Sequence, residues 1–228
     1  MITWRNIDTV ILDMDGTLLD LNYDNHFWLK FVPTRYAELH NISLEVANAL
    51  LIPQFKAMEG KLEWYCLDYW SQKLNLDLPA MKVEIAERIS VLPHVTDFLQ
   101  WLRNLDKTVI LATNAHRKSL HLKLDRTCLQ LYFDHIVSSH DFGYPKEDEA
   151  FWRLLRCRHP FDPARALLVD DSRAVLASAR HYGIGHIVAV RKNDSASAPK
   201  QFADFWGIMD LRELMAVDEI VAIPSGLG

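Results

Sequence analysis

A chain of 228 residues, half of them apolar and 24% charged, has the composition of a folded globular protein rather than a disordered one. Its net charge of −5 supplies no basic excess for a nucleic-acid polymer, and no apolar run reaches the roughly 18 residues of a membrane-spanning helix. Cys66, Cys128 and Cys157 are odd in number, widely spaced and without a C-x-x-C pair, which argues against a disulfide framework or a structural zinc and for a reduced, cytoplasmic protein.

The first residues, MITWRNIDTV, are interrupted by Arg5 and Asp8, where a signal peptide needs an apolar stretch. Thr9–Leu12 then reads as a buried strand. From residue 21 to 90 no strand pattern follows; the periodicity predicts helices over Asn25–His40, Ser43–Met58, Lys61–Leu74 and Pro79–Ile89. Leu62, Tyr65, Cys66, Tyr69 and Trp70 fall at i, i+3, i+4, i+7 and i+8, one amphipathic face. Ser43 suits an N-cap and Pro79 a first helical position, while Pro53 should kink or end the second helix.

Beyond this interval helices and strands alternate. Helices are expected over Thr96–Leu105, Lys118–Leu129 and Ala174–Tyr182, and strands over Thr108–Ala112, His135–Val137, Ala166–Val169 and His186–Val190. Asp194–Pro199 reads as a surface loop and Ser225–Gly228 as a frayed tail. The alternation predicts an α/β fold with a parallel sheet, formed by residues 1–20 and 91–228, and a second, all-helical domain inserted at 21–90.

In such a sheet ligands bind beyond the carboxyl ends of the strands, so the strand endings carry the chemistry. The first ends in Asp13-Met14-Asp15-Gly16-Thr17, the second in Thr113-Asn114, and the fourth in Asp170-Asp171-Ser172; GYPKED presents Lys146 before it. Alone, D-x-D-G-T could be a turn, Asp170-Asp171-Ser172 a helix cap and Lys146 a solvated charge. Together they place four aspartates at one edge, which would repel unless a cation joined them. Oxygen ligands of this hardness suit Mg²⁺ shared with phosphate. One carboxylate can then attack phosphorus while a second protonates the leaving oxygen and later activates water. Thr113 and Lys146 offer a hydroxyl and a charge to the phosphoryl oxygens.

These motifs, in this order from Val10 to Ser172, resemble the haloacid dehalogenase-like hydrolase superfamily. The resemblance implies a Rossmann-like core with a helical cap inserted after the first motif. It implies that Asp13 is the nucleophile and Asp15 the general acid/base. Asp13, the Asp15 backbone carbonyl and Asp171 would hold Mg²⁺, with Asp170 supporting through water. Thr113, Asn114 and Lys146 would bind the phosphate, although Asn114 could instead tie down a loop. Asp15 points to the phosphatase branch, since the hydrolytic dehalogenases lack a carboxylate there. Pro93-His94-Val95 departs from the family by lacking a glycine after the proline, outside the chemistry.

LDMDGTLLDLNYDNHFW, LEWYCLDYW, LATNAH and FGYPKED more narrowly resemble the bacterial GMP/IMP nucleotidases, 5′-nucleotidases of purine monophosphates. The partner so implied is a small phosphomonoester, a purine nucleoside monophosphate, with neither nucleic-acid polymer nor membrane; oligomeric state is not encoded in any motif. A phosphoglycolate or sugar phosphatase and a phosphosugar mutase share the same core motifs; a catalytically idle binding protein on the same fold is a further alternative, against which the filled catalytic positions argue. Among the cap aromatics Phe27, Trp28, Trp64, Tyr65, Tyr69 and Trp70, most should form the cap's own core and one or two meet a base. Asp24 and Asn25 could reach the substrate or a hinge. Cys66 reads as packed, and His116 and His121 as surface or phosphate-side groups rather than a metal grip.

Overall fold

The TVIL run of strand β1 (Thr9–Leu12) is buried at all four positions, the pattern of a strand covered on both faces. The computed structural model describes residues 2–215. Five further strands, β2 (Thr108–Thr113), β3 (His135–Ser138), β4 (Ala166–Asp170), β5 (His186–Val190) and β6 (Trp206–Ile208), complete a parallel sheet in the order β3-β2-β1-β4-β5-β6. Leu12 lies opposite Leu111 on one side and Val169 on the other. The residues that follow these three positions therefore leave the sheet together, at the point where the strand order reverses.

Helices α1 (Asn22–His26), α2 (Val32–His40), α3 (Leu44–Met58), α4 (Leu62–Tyr65), α5 (Leu67–Leu74) and α6 (Leu78–Glu84) all lie between β1 and the next core helix. Then come α7 (Val95–Asn104), α8 (Arg117–Thr127), α9 (Glu149–Arg158), α10 (Arg173–Tyr182) and α11 (Arg212–Met215). Val10 and Leu12 join one apolar layer with Phe98 and Leu120, and Ile11 joins the other with Phe151 and Leu176. A third cluster draws its buried members, such as Phe27, Leu51, Phe55 and Trp70, from α1 to α6 and the π turn between α1 and α2. The chain enters and leaves this helical segment through a narrow neck. Leu19 bridges Val91 antiparallel, Asp20 N–H donates to the Ser90 carbonyl at 2.9 Å, and Leu92 N–H to that of Leu18 at 2.9 Å.

The expected strands match the sheet within a residue or two. Three elements had no counterpart in the periodicity: α9, announced by the Asp148 N-cap and buried Phe151, Trp152 and Leu155, β6, a three-residue edge strand with Trp206 exposed, and the four-residue α11. Pro53 does not end α3, because Leu51 and Phe55 anchor the helix to the third cluster on both sides of it. Pro79 stands at the second helical position, behind an Asp77 cap. The predicted Lys61–Leu74 helix breaks at Cys66, whose backbone is extended. The buried stripe accordingly shifts to Leu67, Trp70 and Leu74. Phe27–Phe31 forms a π turn between α1 and α2, a local irregularity often found beside functional sites. The 195–199 stretch is an exposed loop as expected, whereas Asp194 at its start is buried, accepting from Asn22 and Asn25. Ser225–Gly228 lies outside the described residues.

Candidate active site

Asp13 follows β1 directly, and its N–H donates to the Val169 carbonyl at 3.0 Å, an extension of the sheet that fixes its backbone. Asp170 ends β4 and Asp171 follows it. One oxygen from each of Asp13, Asp170 and Asp171 lies within 4.8 Å of the others, and all three residues are buried. Gly16 makes this closeness possible. Its φ is +84°, and a Cβ there would stand 2.7 Å from Asp171 Cγ. A side chain would both strain the turn and push Asp171 away.

Lys146 balances the cluster. Its ammonium donates to Asp13 Oδ1, to Asp170 Oδ2 at 2.7 Å and to the Ala112 carbonyl at 3.0 Å. Burial alone would push Lys146 down, but the Asp13 and Asp170 carboxylates outweigh it and hold the amine above its ordinary value. Burial raises Asp13 and Asp170 above the usual carboxylate range, against the pull of Lys146 and with the help of their acidic neighbours. Asp170 Oδ1 accepts from Ser172 N–H, whereas Asp171 Oδ2 accepts from Asn193 and Lys200. Asp13 Oδ2 and Asp171 Oδ1 are thus left without a protein donor among the described residues. The cluster suits a hard divalent cation with two free oxygens and one lysine-bound support.

Thr113 is buried at the end of β2, its hydroxyl oxygen accepting from Ala115 N–H at 3.0 Å while its proton remains free to donate. Asn114 lines the same cavity. Its amide oxygen accepts from Lys146 N–H, and its NH₂ donates to Glu147, each at 2.9 Å. Both ends of that side chain hold the Lys146–Glu147 loop. Tyr65, from the helical segment, donates to the other Glu147 oxygen at 2.5 Å.

Asp15 belongs to a second charge chain, of which sequence reasoning had only Asp15 itself and Asp24. Lys123 of α8 donates to Asp15 and to Asp24, both at 2.6 Å, and Lys82 of α6 donates to the second Asp24 oxygen at 2.6 Å. Lys82 also lies over the Tyr23 and Phe27 rings. Burial raises Asp15 despite Lys123; it would raise Asp24 too, but Lys123 and Lys82 hold Asp24 well below the carboxylate range. Lys123 stands between Leu122 and Leu124 and Lys82 between Met81 and Val83; nothing local reveals that the two lysines are buried.

Trp28, Leu29, Trp64 and Tyr65 line the cavity above the carboxylates, whereas Phe27 and Trp70 are buried in the helical core and Tyr69 packs against it. Asn25 both lines the cavity and donates to Asp194. His116 lines the cavity too, while His121 is exposed.

The model of the haloacid dehalogenase-like hydrolases matches residues 7–183. GMP/IMP nucleotidase YrfG of Escherichia coli (strain K12) is 40% identical over 214 residues, 94% of this chain and 96% of that protein. A phosphoglycolate phosphatase of Pseudomonas putida is 26% identical over 191 residues, 77% of this chain and 66% of that protein. Among solved structures, a HAD phosphatase from Thermococcus onnurineus superposes with a TM-score of 0.77 at 22% identity, covering 91% of this chain and 96% of that one.

Lys123→Met should leave the part-buried Asp15 carboxylate beside Asp24 without its cation, and chemical denaturation should register a loss of about 3–5 kcal/mol. Adding Asp15→Asn removes the stranded charge while Lys82 still pairs with Asp24, and should recover part of that loss. If the single variant melts like the wild type, Lys123 does not balance these carboxylates.

Proposed function

The chain belongs to the haloacid dehalogenase-like hydrolase family, and on that premise we propose that it is a Mg²⁺-dependent phosphomonoesterase acting on purine nucleoside 5′-monophosphates, GMP and IMP first. The observation that carries the reading is the buried Asp13–Asp170–Asp171 cluster, braced by Lys146 and roofed by Trp28, Trp64 and Tyr65. The 40% identity to a GMP/IMP nucleotidase along nearly the whole chain supports the substrate class.

Asp13, Asp171 and the Asp15 carbonyl would hold Mg²⁺, with Asp170 behind them. When bound, the ion supplies charge neutralisation to the cluster and to a phosphoryl oxygen. Asp13 attacks phosphorus with the carboxylate oxygen that does not hold the ion, the bond from phosphorus to the ester oxygen breaks, and Asp15 gives its proton to the departing nucleoside 5′-oxygen. Water then attacks the aspartyl phosphate, Asp15 takes back a proton, and inorganic phosphate leaves Asp13 as a carboxylate. Lys146 and the Thr113 hydroxyl meet the phosphoryl oxygens, and Asn114 keeps the Lys146 loop in place. Lys123 orients the Asp15 carboxyl.

Residues 21–90 serve as a cap that opens for exchange and closes to exclude bulk water. Tyr65–Glu147 and Asp24–Lys123 are contacts of the closed form. No helix among the described residues is long and apolar enough to cross a membrane, and three free cysteines support a reducing, cytoplasmic setting.

The direct test is phosphate release from GMP, IMP, AMP, UMP, phosphoglycolate and glucose phosphates, with Mg²⁺ and with EDTA. GMP and IMP should be preferred, EDTA should abolish activity, and Asp13→Asn should cost roughly 10³-fold or more. An undiminished Asp13→Asn enzyme refutes the nucleophile, and a strong preference for another ester refutes the nucleotidase reading.

Thermal melts test the ion separately. Because burial raises Asp13, Asp15 and Asp170, folding favours their protonated forms. Without a cation, their contribution to stability is full below about pH 4 and is lost as pH rises through the raised values. Mg²⁺ binds the deprotonated cluster. At a hundred times its dissociation constant it should therefore restore about 2.7 kcal/mol at neutral pH, and the stabilisation should fade in acid. Equal stabilisation at pH 4 and pH 7 would contradict a carboxylate site.

Trp64→Ala tests the base contact. If the purine stacks there, KM for GMP should rise roughly 5- to 150-fold, for about 1–3 kcal/mol of lost stacking. Hydrolysis of acetyl phosphate, which has no base, should be unchanged.

A further inference from the structure

Cys66 stands at the break between α4 and α5 in the helical segment, His116 at the N-cap of α8, and His140 in the short turn Ser139–Asp141 after β3. They come from three separate parts of the chain, with no spacing that announces a site. One ligand atom from each nevertheless lies within 4.8 Å of the others. The two imidazoles meet edge to face with centroids 4.9 Å apart. His140 Nε2 is buried without any hydrogen-bond partner, and an orphaned ring nitrogen of this kind is rare unless something is meant to meet it.

We propose that Cys66, His116 and His140 form a second metal site, which takes Zn²⁺ and ties the helical segment to the sheet domain. A thiol and two imidazoles are the donors of a borderline-soft cation, unlike the oxygen-only set of Asp13, Asp170 and Asp171. Ligands of a tetrahedral zinc stand roughly 3.3–3.8 Å apart, so side-chain rotation of under an ångström or so closes the set around an ion. Burial, and for His140 also the neighbouring His116, pushes both imidazoles below their ordinary value, which keeps them neutral and able to coordinate. The fourth position falls to water or to Asp68, whose carboxylate lies 3.7 Å from His116 Nε2. Other readings fit less well: a merely packed cysteine does not account for the unpartnered His140 nitrogen, and His140 does not line the cavity in which a phosphate would sit.

Zn²⁺ bound here would span the cavity mouth, since His116 lines the cavity and Cys66 belongs to the segment above it. The zinc-loaded protein is therefore held closed, a consequence that holds whatever ester the acidic site hydrolyses.

Co²⁺ provides a spectroscopic stand-in. The full chain, with excess Mg²⁺ on the carboxylates, is titrated with Co²⁺ and the thiolate-to-metal charge-transfer band is followed. One equivalent should give the band, and Zn²⁺ should bleach it. Cys66→Ser should abolish the band, and His140→Gln should abolish or strongly weaken it. Cys128→Ser/Cys157→Ser should keep it. On the wild-type protein, Zn²⁺ should slow iodoacetamide alkylation of Cys66 but not of the exposed Cys128 and Cys157, a readout independent of how the variants fold. Absence of the band in the wild type, its survival in Cys66→Ser, or alkylation of Cys66 at an unchanged rate would overturn the proposal.

Discussion

Carboxylates gathered at the end of a buried sheet must be balanced by cations, and that constraint organises this molecule. Desolvation penalises each ionised aspartate and mutual repulsion adds to the penalty. Lys146 meets it on one side by donating to Asp13 and Asp170 together. Lys123 meets it on the other, between Asp15 and Asp24. The two lysines divide the acids into two groups, Asp13 with Asp170 and Asp15 with Asp24. Neither lysine can be moved without exposing an unpaired charge to a low-dielectric interior.

The same charges join the helical segment to the sheet. Asp24 and Lys82 come from the segment, while Asp15 and Lys123 come from the core; the chain of contacts between them crosses the boundary at Lys123–Asp24. Tyr65 and Asn114 share Glu147 across that boundary, and Asn22 and Asn25 reach Asp194. These polar contacts, rather than a continuous apolar core, join the segment to the sheet domain. The segment has its own apolar cluster, to which the core adds little. Polar contacts of this kind exchange readily with water.

Much of this was legible from the chain. The TVIL and HIVAV runs carry strand limits that agree with β1 and β5 because continuous apolar runs mark strands covered on both faces. The polar residues after such runs had to emerge at one sheet edge, and this is why Asp13, Thr113 and Asp170 could be placed together before any coordinates. Lys123 could not be found this way. It lies 108 positions from Asp15, on a helix whose sequence reads as solvated. Lys200 and Asn193, which hold Asp171, sit in a stretch whose composition resembles an ordinary loop. The Cys66 break was also hidden, since i, i+3, i+4 spacing runs through it and only the extended backbone at Cys66 shows that the helix restarts.

The neck at Leu18–Asp20 and Ser90–Leu92 has one more consequence. Pinned side by side, the two crossings make everything between them a closed loop from the viewpoint of the sheet. Loop-closure entropy grows only logarithmically, so doubling the loop's length costs about 0.6 kcal/mol. The core can therefore accept a longer, shorter or quite different insertion with little change in its own folding. An arrangement of this kind makes the chemistry a fixed platform and the insertion an interchangeable cassette, free to diversify while the aspartates beneath it stay where they are.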